Sequence, residues 1–376
     1  MQGLTIFFLF NLFLVVGCII MGLIFLILPL PQVAGLKNYR ISLKILALAY
    51  ITQGLLSVIP LVMQYPEVRL LSPLEMIISS LQAMLFAFTL IALFNPSFIA
   101  TRLVVKHFLP VIFFVVLLSI FTFFGGSPVL SSIDEMVYHI AHPTVLLRFL
   151  FALFYVIQLV CFTRMYFREE KNYTQQLDNY FSDNFRLQLK WVRYCFYAAL
   201  LVGTVALSSF FFYSSAWVTA TAGIYTFFYV GFGLFYIQYP NTFTEIEQAI
   251  TETQVIVPDE TEKVNRQPTW DKLKQQVIQE KYYLNSGVTI EEIAQLLKIG
   301  RTSLSGFINK EEGVNFNLWI NTLRIEEAKK HLINHPDFSI AKVSELVGFS
   351  EQSNFSRQFK LLTQQSPSEW RQQNLA

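Results

Sequence analysis

Charge and cysteine are both scarce in this sequence. Of 376 residues only 14% are Asp, Glu, Lys or Arg, and there are three cysteines. Cys18, Cys161 and Cys195 sit in or beside apolar runs without CxxC spacing, so they read as small hydrophobes, not as a disulfide framework or a metal site. The sequence also lacks a Gly-rich phosphate loop, HExxH, GxSxG and a His-rich run at metal-ligand spacing. Nothing points to an enzyme, and no cofactor or metal is expected.

What is present is apolar: 53% of the chain is hydrophobic and 16% aromatic. That average covers two unlike halves. Up to about Tyr239 the chain is a series of long apolar runs, and beyond it the chain is polar and charged. A bilayer crossing needs roughly 20 apolar residues per helix, whereas a soluble core does not need repeated runs of that length. Seven crossings are expected, at about Leu4–Leu28, Ile41–Met63, Leu74–Phe94, Leu103–Phe124, Thr144–Phe167, Trp191–Tyr213 and Trp217–Tyr239. The first lacks a basic n-region and a small-residue cleavage pattern, so it is read as a helix and not as a signal peptide.

Orientation follows from Lys and Arg in the short connections. Lys37, Arg40 and Lys44 lie between helices 1 and 2, Arg102 and Lys106 between 3 and 4, and Arg164, Arg168, Lys171, Arg186, Lys190 and Arg193 around the link from 5 to 6, all on one side of the predicted helices. The other connections hold Arg69, and Arg148 a little inside helix 5, with Glu67, Asp134 and Glu135. The N-terminus is therefore expected outside and the C-terminus in the cytoplasm. Near the outer face Glu75, Asp134, Glu135, His139 and His142 gather, with Arg148 nearby, either as a ligand-sensing or metal site or as a solvated polar rim. Asn11, Gln53, Gln82, Arg148 and Gln158 are costly in lipid and should face the bundle interior, joining helices or lining a pocket.

After the last apolar run, Phe243, Ile246 and Ile250 follow helical spacing, which predicts a short amphipathic arm suited to a dimer or to the membrane surface. Val257–Pro268 is polar and bounded by prolines, the composition of a flexible linker. The expected organisation is a seven-helix sensor domain over 1–240, the arm and linker over 241–268, and a cytoplasmic domain over 269–376. In that last part Thr289 and Glu292 predict a capping box, and Gly300 breaks the chain before a candidate recognition helix, RTSLSGFINKEEG. A long helix is expected from about Asn317 to Asn334. Next, Ser339 caps a helix with Ile340, Val343, Leu346 and Val347 on its apolar face. Gly348 can end that helix in the left-handed conformation, Ser350 is a good N-cap for the next, and Phe355 and Phe359 fall four apart and point inward. Helix, glycine turn, helix with Gln, Asn and Arg is a helix-turn-helix pattern.

The stretch Val343–Arg371 resembles the second helix-turn-helix of the AraC/XylS transcription regulators, through Gly348-Phe349-Ser350, Asn354-Phe355-Ser356-Arg357, Phe359-Lys360, Ser366-Pro367 and Trp370-Arg371. Gln364 departs from the pattern, standing where the family usually has glycine. The resemblance covers about the last hundred residues. It implies two helix-turn-helix units joined by a long helix, to which Leu323–Leu332 corresponds, and a bacterial protein that binds promoter DNA and engages RNA polymerase. The expected fold class is thus all-α: a polytopic seven-helix transmembrane bundle followed by a cytoplasmic double helix-turn-helix domain.

Side chains near recognition-helix N-termini reach bases. The candidates are Arg301, Thr302 and Ser305 in the first unit and Gln352, Ser353, Asn354, Ser356 and Arg357 in the second. Arg can pair with guanine and Gln or Asn with adenine. Ser350, Lys310, Lys360 and Arg371 suit caps or phosphate contacts. Gly306 weakens the first helix, so the second unit should read better at its start. From Pro268 onward 13 Lys and Arg face 12 Asp and Glu, so a monomer should bind DNA weakly, and a homodimer or confinement to the membrane would supply avidity. The reading is a one-component regulator in the bacterial cytoplasmic membrane that responds to a small molecule or a membrane signal. Its alternative is a receptor or transporter-like protein carrying a degenerate DNA-binding domain as a scaffold.

Overall fold

The computed structural model describes residues 2–30, 36–62, 70–95, 98, 101–183, 189–212, 214–237 and 269–375. Among these there are 15 α-helices and no named strand. The expected arm and linker over 241–268 lie outside the described residues. The chain divides into two compact units: Met1–Lys171 with Lys190–Thr251, and Asn172–Leu189 with Glu252–Ala376.

The first unit is built from α1 (Gln2–Ile27), α2 (Leu36–Val62), α3 (Pro73–Phe94), α4 (Thr101–Gly125), α5 (Ile133–Tyr138), α6 (Pro143–Tyr180), α7 (Lys190–Ser209) and α8 (Ser215–Ile237). Seven of them, all but α5, are long and apolar enough to cross a membrane. Pro110 lies inside α4, which stays one helix. The short α5 occupies a stretch expected to be loop, and Ser132 caps it by accepting from Glu135 N at 3.2 Å. Helix α6 outruns its predicted apolar crossing by 13 residues, because the polar stretch after Phe167 is rich in good helix formers such as Glu, Lys and Gln.

Two features hold α1, α2 and α8 together. Glycines allow close approach: a Cβ added at Gly22 would lie 2.7 Å from the Ile51 side chain, and one at Gly54 would lie 2.8 Å from that of Ile19. Tyrosine hydroxyls then bond across helices. Tyr39 donates to the Tyr236 carbonyl at 2.9 Å, Tyr50 to the Tyr229 carbonyl at 2.5 Å, and Tyr236 to Ser42 Oγ at 2.7 Å. The five polar residues expected to turn inward are all buried. Gln82 crosses from α3 to donate to the Ala49 carbonyl of α2, whereas Asn11 bonds within its own helix, to the Phe7 carbonyl.

The second unit contains α9 (Trp270–Gln279), α10 (Ile290–Leu296), α11 (Arg301–Phe307), α12 (Phe316–Asn334), α13 (Ile340–Leu346), α14 (Gln352–Thr363) and α15 (Pro367–Leu375). It has two apolar cores, and α12 enters both. Phe316, Trp319 and Ile320 join the first, around Trp270, Ile293 and Leu304. Ile325, Ala328 and Leu332 join the second, around Val343, Phe355 and Phe359. One helix thus splines two helix-turn-helix units, α10–α11 and α13–α14.

Candidate nucleic-acid interface

Each helix-turn-helix is shaped by its caps. Thr289 and Glu292 form the capping box of α10, with Thr289 Oγ1 accepting from Glu292 N at 3.2 Å and Glu292 Oε2 accepting from Thr289 N at 2.7 Å. Ser339 Oγ accepts from Lys342 N at 3.1 Å to start α13. Gly300 breaks the chain as expected, extended and serving as the N-cap of α11, and the left-handed residue of the first turn is Lys298, with φ 55°. One expectation is corrected. Ser350 does not cap α14: the N-cap is Glu351, and the Ser350 hydroxyl instead donates to Asp183 Oδ2 at 2.5 Å. In the second turn Gly348 is left-handed, with φ 84°. Gln364, standing where the related pattern has glycine, nevertheless adopts φ 65° as the C-cap of α14.

Phe355 and Phe359 are fully buried, 5.6 Å apart, with Trp370 stacked edge-on against Phe359. Anchoring that face turns Gln352, Ser353, Arg357 and Lys360 outward as one exposed stripe on α14, with Ser356 half-buried beside it. Asn354 is different: it is 2% exposed, its Oδ1 accepts from Arg357 Nη2 at 3.0 Å and its Nδ2 donates to Asp183 Oδ1 at 2.9 Å. In the first unit Arg301 and Thr302 are exposed at the start of α11, and Ser305 is half-buried, accepting from Asn309 Nδ2 at 3.3 Å. Helix α11 has seven residues before a π-helical turn over Ile308–Glu312 takes over, against twelve in α14. Lys310 is exposed, and Arg371 Nη1 donates to the Pro336 carbonyl at 3.3 Å, a capping role.

Three residues central to this unit escaped the sequence reading. Arg324, on α12, is fully buried; its Nε donates to the Tyr283 carbonyl at 2.7 Å and its Nη2 to the Asn285 carbonyl at 2.8 Å and to Ser182 Oγ at 3.2 Å. Burial lowers its pKa to about 10, opposed by the Asp183 carboxylate, and it stays charged at neutral pH. Asn317 Nδ2 donates to the carbonyls of Phe181 and Ser182 at 3.0 and 2.9 Å. Asp183 receives the bonds from Ser350 and Asn354 already described. A charged residue inside the apolar stripe Ile320, Leu323, Ile325 was the available signal for Arg324; Asp183 carried none.

The outer-face candidates are met by local partners. Glu135 Oε2 accepts from Ser131 N at 2.7 Å, His142 Nδ1 lies 2.8 Å from Thr144 Oγ1, and buried Arg148 bonds Ser127. Asp134 is exposed and His139 packs against the Tyr138 ring. Among the described residues no group of three or more His, Cys, Asp or Glu could hold a metal ion. A cavity of about 90 Å³ lies instead within the helical bundle, bounded by α3, α6, α7 and α8 together with Gln53 of α2. Phe86, Phe162 and Phe228 supply its apolar wall, Gln82, Tyr155 and Tyr229 its polar groups, and no charged side chain lines it.

Residues 293–373 match a family described as a helix-turn-helix domain. No family matches the part of the chain before it. The chain is 31% identical over 116 residues to the regulatory protein PocR of Salmonella typhimurium, covering 30% of this chain and 38% of that protein. It is 35% identical over 88 residues to the uncharacterized HTH-type transcriptional regulator YijO of Escherichia coli, covering 23% and 31%. The chain thus spans about a third of the length of these relatives. Among solved structures it is similar to the C-terminal domain of AraT, a response regulator from Geobacillus stearothermophilus, at 27% identity, covering 29% of this chain and 88% of that one, with a TM-score of 0.26. Residues 293–373, with two helix-turn-helix units on one buried helix, are a helix-turn-helix domain of the AraC/XylS type.

Proposed function

We propose that this chain is a membrane-embedded, one-component transcription regulator whose double helix-turn-helix domain binds promoter DNA in the cytoplasm. The observation that carries the reading is the outward stripe Gln352, Ser353, Arg357 and Lys360 on a helix locked in place by Phe355 and Phe359. Gln352 and Arg357 supply bidentate partners for adenine and guanine, and Lys360 supplies a phosphate contact. Arg301 and Thr302 make the shorter first reader. The two units enter successive major grooves, and contact with RNA polymerase follows from binding at promoters.

Seven apolar helices support insertion into the cytoplasmic membrane, as does the apolar outer surface, where Phe123 is 84% exposed. The alternation of basic connections supports an outside N-terminus. The signal enters the bundle cavity, whose uncharged aromatic and amide lining selects a neutral, mostly apolar ligand. The near-neutral DNA-binding domain makes a homodimer the source of avidity.

The test is genome-wide occupancy by the full-length chain beside a Gln352→Ala/Ser353→Ala/Arg357→Ala variant. Discrete promoter peaks lost in the variant support the reading. Absence of peaks with the protein present in the membrane overturns it and favours the scaffold alternative.

A further inference from the structure

Helix α6 is one continuous helix, yet its residues to Lys171 belong to the first unit and those from Asn172 to the second. Its end is built into the second unit by backbone bonds. Phe181 bridges Thr289 antiparallel, Ser182 N donates to the Val288 carbonyl at 3.1 Å, and Asn317 holds both the Phe181 and Ser182 carbonyls. Phe181 and Ser182 are buried, and Tyr180 packs on the core of the first helix-turn-helix. The next residue, Asp183, reaches the second reader, accepting from Ser350 Oγ at 2.5 Å and Asn354 Nδ2 at 2.9 Å, with Ser350 N at 3.4 Å.

Resting on the regulator reading above, we propose that Asp183 is an acidic clasp that occupies the leading edge of the α14 reader as a surrogate for a DNA phosphate. The leading edge of a recognition helix receives an anionic oxygen on DNA, through backbone N–H groups and short polar side chains. Here a carboxylate already holds those donors, and it cannot share them with a phosphate. The segment does not need Asp183 for anchorage, because Phe181 and Ser182 supply buried backbone bonds, while the Asp183 contacts are partly exposed and add little stability. Asn354, which Asp183 engages, also holds Arg357, so the clasp bears on a base-reading side chain as well. By linkage, whatever withdraws Asp183 strengthens DNA binding, and DNA in turn displaces Asp183.

The test uses full-length protein in lipid nanodiscs and the duplexes that it enriches from a random-sequence library. Asp183→Ala and Asp183→Asn are expected to bind these duplexes about tenfold more tightly than the unaltered chain. An Asp183→Cys/Ser350→Cys chain, oxidised to close the clasp covalently, is expected to lose at least about tenfold in affinity and to regain it with reductant. Unchanged or weaker binding by Asp183→Asn overturns the clasp, as does a crosslinked form that binds like its reduced counterpart. If no duplex is enriched by any of these chains, the regulator reading itself fails, and the clasp with it.

Discussion

A Cβ added at Gly348 would lie 2.3 Å from the carbonyl oxygen of Leu284, and the residue also needs a positive φ. Two penalties coincide there, backbone strain and a clash with main chain that cannot rotate away. Gly348→Ala is expected to destabilise the second unit by about 3 kcal/mol, seen as lost amide protection across α13 and α14 in hydrogen exchange. Gln364 is the converse case. It carries the same left-handed strain, eased by a bond from its Nε2 to the Leu361 carbonyl at 3.2 Å. Gln364→Gly should therefore gain about 0.5–1 kcal/mol, measured as a higher denaturant midpoint for loss of the α14 amides. The left-handed position at Gly348 was readable from residue type, since glycine favours it. At Gln364 residue type argued against the turn, and the buried Phe359 and half-buried Trp370 on either side overrode it.

At the scale of elements, α12 is the member on which both helix-turn-helix units depend, and one of its polar contacts contributes to the acid sensitivity of the domain. Glu327 is nearly buried and accepts from Lys281 Nζ at 2.6 Å and Lys330 Nζ at 2.8 Å. Burial works against its charge, but the two lysines outweigh burial and hold its carboxyl below the usual range. A depressed folded-state pKa gives stability that is present above the unfolded value of about 4.3 and lost as pH falls through the folded one. Glu327→Gln should thus cost about 1–2 kcal/mol at neutral pH, and that difference should shrink on acidification below about pH 4. Urea titrations at several pH values, followed by α12 amide protection, check both parts. The helix itself was legible from its apolar spacing. The pairing of Glu327 with Lys281 was not, because 46 residues separate them.

For the whole molecule, the near balance of 13 basic and 12 acidic residues from Pro268 onward makes each phosphate contact count. Lys360→Ala should lower the slope of log affinity against log salt by about 1, without changing which sequences are preferred. Competition binding at several salt concentrations with the full chain reads both quantities. In the first unit, Gln82 donates to the Ala49 carbonyl at 3.1 Å and accepts from the Tyr229 hydroxyl at 3.2 Å, at the wall of the cavity. On the proposed regulator reading, Gln82→Leu is expected to stay in the membrane fraction and to abolish the promoter response to the signal, scored with a promoter reporter beside a membrane-fraction blot.

Seven membrane-length helices, the capping box at Thr289, the cap at Ser339 and the inward pair Phe355 and Phe359 follow from local forces, which run length, helical period and residue type express directly in the sequence. The burial of Gln53, Gln82 and Gln158 follows too, since an amide on an otherwise apolar helix finds its partners on neighbouring helices. Tertiary structure alone decided that Asn354 is buried instead of exposed, that Ser350 serves Asp183 and not α14, and that Arg324 finds its acceptors on Tyr283, Asn285 and Ser182. Those outcomes join residues up to 171 positions apart. A buried polar group must find partners wherever the packed chain places them, and no local pattern encodes that place.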